Sequence, residues 1–183
     1  MQRYAYVLLF FGWSVWALPF VLAHLRGGET AKHVDRRARW GMVLQAIAYA
    51  VLWQGQFWKH PVSPWRIGLS IIFLLLANVL SWSGTRSLGR QWRLDAGLNA
   101  EHELVTAGPY RIIRHPIYAS MLCLLLGTGI LLAPLYLFLP AIVVFLIGTA
   151  IRIRIEDQLL AKRFGEQFEN YRRSTSRLIP FVI

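Results

Sequence analysis

Apolar residues in this chain come in long unbroken runs, not in the narrow stripes of soluble amphipathic helices. Five runs stand out, at residues 4–24, 41–58, 66–84, 117–133 and 135–151. The first three approach the roughly 20 residues that a helix needs to cross a bilayer core. The last two are about 17 residues each and meet at Ala133-Pro134. That junction reads as a tight turn between two spans, a helical hairpin over 117–151, because a single helix of both runs would exceed any one span. After the fifth run the period changes. Leu160, Phe164, Phe168 and Tyr171 fall at i, i+4, i+8 and i+11, and Lys162, Arg163, Glu166, Glu169 and Arg172 fill the surface between them. This predicts an interfacial amphipathic segment, one helix or two broken at Gly165. The expected fold is an all-α integral membrane protein of about five transmembrane helices with a C-terminal amphipathic helical segment. It is expected to be a single membrane domain, with three spans in residues 1–84 and the candidate site in residues 85–183.

Charge orients the spans. With the N-terminus outside, 17 of the 20 Lys and Arg residues and all nine Asp and Glu fall on the cytoplasmic side. Only Arg3, Lys59 and Arg66 fall on the other side. The positive-inside rule therefore favours N-terminus outside and C-terminus cytoplasmic. The net charge of +11 does not point to nucleic acid, because the basic residues sit between apolar runs and not on a polar domain. Arg26, Lys32, Arg36, Arg37, Arg39, Arg86, Arg90 and Arg93 lie where anionic lipid would meet them. Nothing in the pattern calls for an obligate protein partner. The first run has no small-residue cleavage site and reads as a retained helix. The expected location is a bacterial cell (inner) membrane with the site facing the cytoplasm.

The composition, 56% hydrophobic and 14% aromatic, is too apolar for an ordinary soluble domain and adds interface-belt character. The single cysteine, Cys123, lies within an apolar run and reads as a small buried hydrophobe. No Cys/His spacing suggests a metal, and no G-x-G-x-x-G after a strand, P-loop or H-E-x-x-H occurs.

Two clusters carry chemistry. The first is Gly108-Pro109-Tyr110-Arg111-Ile112-Ile113-Arg114-His115-Pro116-Ile117-Tyr118, at the mouth of the fourth run. Arg and His beside a bilayer-length segment are expensive to place. Pro116 can open a helix at its first position, and the helix then aims unpaired N–H groups at the basic cluster. The plain alternative is a basic membrane anchor followed by a helix start. The second cluster is Arg152-Ile153-Arg154-Ile155-Glu156-Asp157, where the fifth run leaves the bilayer. Arg152 and Glu156 are four apart on one helix face, which alone is an ordinary ion pair. An antiparallel hairpin brings them toward Arg114, His115 and Tyr118. The amphipathic tail would dock on the membrane and could also close the site against water.

Together these residues resemble the isoprenylcysteine carboxyl methyltransferase family of integral-membrane enzymes. The likeness is carried by His102-Glu103-Leu104-Val105-Thr106, Gly108, Tyr110 and Arg114-His115-Pro116-Ile117-Tyr118. It continues through Arg152, Glu156-Asp157, Phe164-Gly165, Tyr171 and Arg177-Leu178-Ile179-Pro180. It spans roughly the last 100 residues, whereas the N-terminal runs match only in being hydrophobic. The resemblance implies S-adenosyl-L-methionine as cofactor, contacted by His102, Glu103, Leu104, Val105, Tyr110, His115, Pro116, Ile117, Tyr118 and Glu156. It implies that Arg152 orients the carboxylate of a lipophilic or lipidated substrate arriving from the bilayer. The chain departs from the pattern at Asp95, where eukaryotic members tend to carry glutamine, and at Asp157, where a second glutamate is common. Its few spans look more like bacterial members.

The implied reaction is carboxyl O-methylation. Phospholipid or other amine N-methylation is the nearest alternative and would require a base for the departing proton. A membrane reductase of related architecture, with a nicotinamide cofactor, and a non-enzymatic basic-faced membrane protein are the remaining readings.

Overall fold

The apolar runs fold as helices whose ends follow the prolines and glycines. The structure, a computed structural model, describes residues 2–25, 33–55, 62–92, 97–98 and 103–179. His102, Asp95, Pro180, Arg26, Lys32, Lys59, Arg93 and the end of the second predicted run lie outside the described residues. The described α-helices are α1 Gln2–Leu25, α2 Ala38–Leu52, α3 Pro64–Leu88, α4 Pro116–Leu132, α5 Leu135–Phe164 and α6 Glu166–Ser174. Proline opens both α3 and α4, where its missing N–H would have had no helical partner. Gly165, at φ +52°, takes the left-handed turn that parts α5 from α6. The tail is thus two helices, and α5 continues unbroken from its apolar half through Arg152 and Glu156.

Two elements interrupt the helical pattern. Short 3-10 turns occupy Gly89–Gln91 and Gly108–Arg111. Two-residue strands β1 (His33–Val34) and β2 (Gly97–Leu98) pair antiparallel, His33 with Leu98 and Val34 with Gly97. This pair modifies the expectation of an all-helical chain and ties the loop before α2 to the segment after α3.

Three helices, α1, α3 and α5, are long and apolar enough to cross a membrane. The other two apolar helices are shorter, α2 with 15 residues and α4 with 17. At 1.5 Å per residue these rise about 22 and 26 Å, less than the roughly 30 Å hydrocarbon core. Large apolar side chains face outward, among them Phe10, Leu75, Val79 and Leu139. Buried hydroxyls are turned inward and paired in the helix interfaces: Ser70 donates to the carbonyl of Gly127 and Thr128 to that of Leu124. Apolar outside with paired polar groups inside is the arrangement a lipid solvent favours.

The hairpin expectation needs correction. α4 and α5 meet beside the Pro134 turn and again where Tyr118 reaches Glu156, but they pack little along their lengths. Instead α4 lies along α3, and α5 lies along α2. Ala48 and Leu52 of α2 join Leu125 of α4 and Phe145 of α5 in one buried cluster. Tyr49 donates to the carbonyl of Met121 in α4 and meets the Phe145 ring edge-on at 6.0 Å. The cause is side-chain size. Gly41, Gln45, Ala48 and Leu52 form the buried stripe of α2, and its small members let the backbone approach α5. A Cβ at Gly41 would fall 2.6 Å from the carbonyl oxygen of Gly148. Gln45 completes the contact with a hydrogen bond to Thr149 at 2.9 Å.

The remaining ties set α1 and the far end. Trp13 and Trp16 donate their indole N–H groups to Thr128 and Ser120, both at 3.1 Å. This fastens α1 to α4. At the end of α4 the Arg66 guanidinium donates to the carbonyls of Ile130 and Ala133. It satisfies orphan carbonyls and places a cation at the negative end of the helix.

Candidate active site

The site begins with a strap. The 3-10 turn Gly108–Arg111 leads into a short extended stretch that pairs with the chain's last described residues. Arg114 N–H donates to the carbonyl of Ser176 at 2.8 Å, Ser176 N–H to that of Ile112, and His115 N–H to that of Arg177. The Arg114 side chain reaches the same segment, donating through Nη1 to the carbonyls of Arg172, at 2.7 Å, and Thr175. Tyr171 on α6 donates to the carbonyl of Tyr110. Arg114 also lines the cavity described below, while its Nη1 is engaged by the tail.

His115 occupies the N-cap position of α4 and Pro116 its first helical residue. Pro116 is buried against Gly84 of α3 and does not line the cavity described below. His115 turns the other way, toward α5. Its Nε2 lies 2.9 Å from Asp157 Oδ1 and its Nδ1 3.6 Å from Glu156 Oε2. Burial pulls this imidazole toward neutrality. The hydrogen bonds and charges of Asp157 and Glu156 outweigh burial and hold its pKa above the ordinary histidine value.

Glu156 is the centre of the corner. Tyr118 donates its hydroxyl to Glu156 Oε1, and Arg152 Nη2 lies 3.7 Å from the same oxygen. The Arg152 guanidinium also sits 5.3 Å from the centre of the Tyr118 ring, within cation–π range. The Arg152–Glu156 pair is therefore not an isolated surface ion pair. It is one edge of a buried polygon shared with Tyr118 and His115, which is costlier to build and more specific.

This corner opens into a cavity of about 430 Å³. Of the predicted residues, Glu103, Leu104, Val105, Tyr110, His115, Ile117, Tyr118, Arg152 and Glu156 line it. Burial raises the pKa of Tyr110, and of Tyr171 to about 12, so both line the cavity as neutral hydrogen-bonding rings. Glu103 is exposed at the rim.

Sequence reasoning missed the opposite wall. Trp16, Ala17, Phe20 and Val21 of α1 face the site, together with Gln91 and Trp92 after α3. Trp16 and Phe20 stack at 4.8 Å, and Phe20 and Trp92 at 5.5 Å. Phe168 and Tyr171 of α6 close a further side. The α1 wall had one legible signal, Trp13, Trp16 and Phe20 at helical spacing, which reads equally as lipid-facing. The cavity thus joins a buried corner carrying both signs of charge to an aromatic and aliphatic chamber. It suits a ligand with a zwitterionic end and a flat apolar-edged body, with room for an apolar chain beside it.

Comparison with known proteins places these residues in a family context. Residues 65–167 match the phospholipid methyltransferase family. The chain is 31% identical over 145 residues to protein-S-isoprenylcysteine O-methyltransferase B of Arabidopsis thaliana, covering 76% of this chain and 70% of that protein. It is 31% identical over 143 residues to cobalt-zinc-cadmium resistance protein CzcN of Cupriavidus metallidurans, covering 67% and 64%. It is also 31% identical over 112 residues to protein-S-isoprenylcysteine O-methyltransferase of Schizosaccharomyces pombe, covering 60% and 48%.

Proposed function

The chain belongs to the phospholipid methyltransferase family and is a methyltransferase, and we propose that it methylates the carboxylate of a lipophilic, isoprenylcysteine-like acceptor with S-adenosylmethionine. The observation that carries this reading is the buried corner where His115, Tyr118 and Arg152 converge on Glu156 at the edge of an apolar cavity. A cofactor with a carboxylate, an ammonium and an adenosine body fits that donor set. His115, as a buried cation, matches the cofactor carboxylate. Glu156 accepts from an ammonium or a ribose hydroxyl. Tyr110 and Tyr118 offer ring faces, and Glu103, Leu104 and Val105 line the side toward the rim. His102 belongs to the same motif, and Pro116 acts by setting where α4 begins.

When bound, S-adenosylmethionine supplies an electrophilic methyl group on a sulfonium, which a carboxylate takes without losing a proton. The protein's task is then positioning and exclusion of water. Arg152 orients the acceptor carboxylate, and its own position is fixed by the Tyr118 ring and by α2. The aromatic wall of α1 receives the apolar part of the acceptor. Amine methylation would need a free base. Glu156 is engaged on several sides and Asp157 is paired with His115, which favours the carboxylate.

The setting is a membrane of five spans, N-terminus outside, with the short helices α2 and α4 completed by their flanking residues. Arg36 and Arg37 before α2, Arg39 in its first turn, and Arg172 and Arg173 on α6 would then meet anionic lipid at the cytoplasmic face of a bacterial inner membrane. The test uses detergent-purified protein. Calorimetry should detect S-adenosylmethionine and not NADPH, and Glu156→Ala should abolish the signal. Transfer of radiolabelled methyl to a farnesylcysteine analogue should yield a base-labile methyl ester that releases labelled methanol on alkaline hydrolysis. A base-stable product would establish N-methylation, and no binding of the methyl donor would sink the reading.

A further inference from the structure

Glu156 and Asp157 are neighbours on α5, so their side chains leave the helix about 100° apart. Glu156 enters the cavity. Asp157 is buried, lies outside the cavity lining, and sits behind the His115 ring. The ring is only 6% exposed and is flanked by both carboxylates, with Nε2 on Asp157 and Nδ1 toward Glu156. Asp157 also exerts the largest charge effect on Arg114, whose Nε is buried without a partner. The other titratable groups about the ring are Tyr118 of α4, stacked at 5.7 Å, and Tyr110, Arg152 and Tyr171 around the cavity.

We propose that Asp157 is a positioning residue that acts on the cofactor only through His115. It pins one ring nitrogen so that the imidazolium keeps a fixed orientation and a full charge while its face meets the cofactor carboxylate. This is the logic by which an outer carboxylate orients a metal-bound histidine, applied here to an organic anion. The inference rests on the cofactor reading above. Without Asp157 the buried ring retains only Glu156 to offset its burial, and its pKa falls.

The experiment measures S-adenosylmethionine affinity by calorimetry from pH 6 to pH 8. Wild type and Asp157→Glu should hold nearly constant. Asp157→Asn should lose affinity steadily over that interval, by more than about threefold and by no more than the roughly 100-fold that one linked proton allows over two pH units. In a His115→Gln background, Asp157→Asn should add less than about twofold, because a residue acting through another shows full coupling to it. A flat profile for Asp157→Asn, or independent losses from the two substitutions, overturns the proposal. A second measurement needs no variant that folds poorly and no ligand. In ¹⁵N-histidine-labelled wild type, the His115 ring should carry protons on both nitrogens at pH 7.5. A neutral ring there overturns the proposal. Absence of cofactor binding in wild type would instead refute the proposed function and leave the ring measurement standing.

Discussion

Replacing Gly41 with alanine adds one methyl group outside the cavity lining, against the stem of Arg152, and it should disable the site. A Cβ there would lie 2.5 Å from Arg152 Cγ and 2.6 Å from the Gly148 carbonyl oxygen. Ordinary carbon contacts lie at about 3.5–4.0 Å, so α2 and α5 must part by roughly 1 Å or the Arg152 stem must swing aside. Overpacking of this kind costs about 1–3 kcal/mol of stability. The kinetic cost is larger, because misplacing a positioning group by about 1 Å can lower the rate on the order of 100-fold. The assay is radiolabelled methyl transfer to farnesylcysteine analogue, with a thermal melt on the same preparation. Gly68→Ala serves as the control, because nothing lies within 4 Å of its Cβ position in α3. That variant should keep full activity and gain up to about 1 kcal/mol from helix propensity. Wild-type kcat/KM in Gly41→Ala would refute the coupling between helix spacing and Arg152. So would a loss of stability with kcat and KM both intact.

Three further outcomes follow from the same contacts. Tyr118→Phe removes the hydroxyl that Glu156 accepts, and cofactor affinity should fall about ten-fold, the effect of one charge-assisted hydrogen bond, as read by calorimetry. Arg66→Ala leaves the end of α4 uncapped and should cost about 2 kcal/mol in stability. Cofactor affinity should stay unchanged, since the site lies at the other end of that helix. His115 has a raised folded pKa, so its contribution to stability is complete below about pH 6.5 and is lost as pH rises through the folded value. The melting temperature of wild type should therefore decline above neutrality, and His115→Gln should flatten that decline.

What was legible in the sequence was local. Uniform apolar runs gave the helices, Pro116 gave the start of α4, and Gly165 gave the break in the tail, because each is a property of a few adjacent residues. The approach of Arg152 and Glu156 to His115 and Tyr118 followed from the short turn at Pro134, and the structure brings them together. Helix partners were not legible. A short connection fixes only where two ends meet, whereas the partner along the length depends on which faces carry small side chains. Gly41 and Gly148 express that choice 107 positions apart. The aromatic wall of α1 escaped for a related reason: in a membrane protein a tryptophan facing lipid and one facing a cavity look alike until neighbouring helices are placed.

The insertion of α2 between α4 and α5 bears on how far the protein can be divided. The stretch that matches the family model, residues 65–167, omits α2. Yet Gln45 pairs with Thr149, and Leu52 shares a cluster with Phe145. A fragment confined to the shared stretch would leave a polar notch on α5 facing lipid and Arg152 without its backing. The boundary of that match is therefore not the boundary of a folding unit. A split protein should regain activity only when a piece carrying α2 is supplied alongside the piece carrying α5.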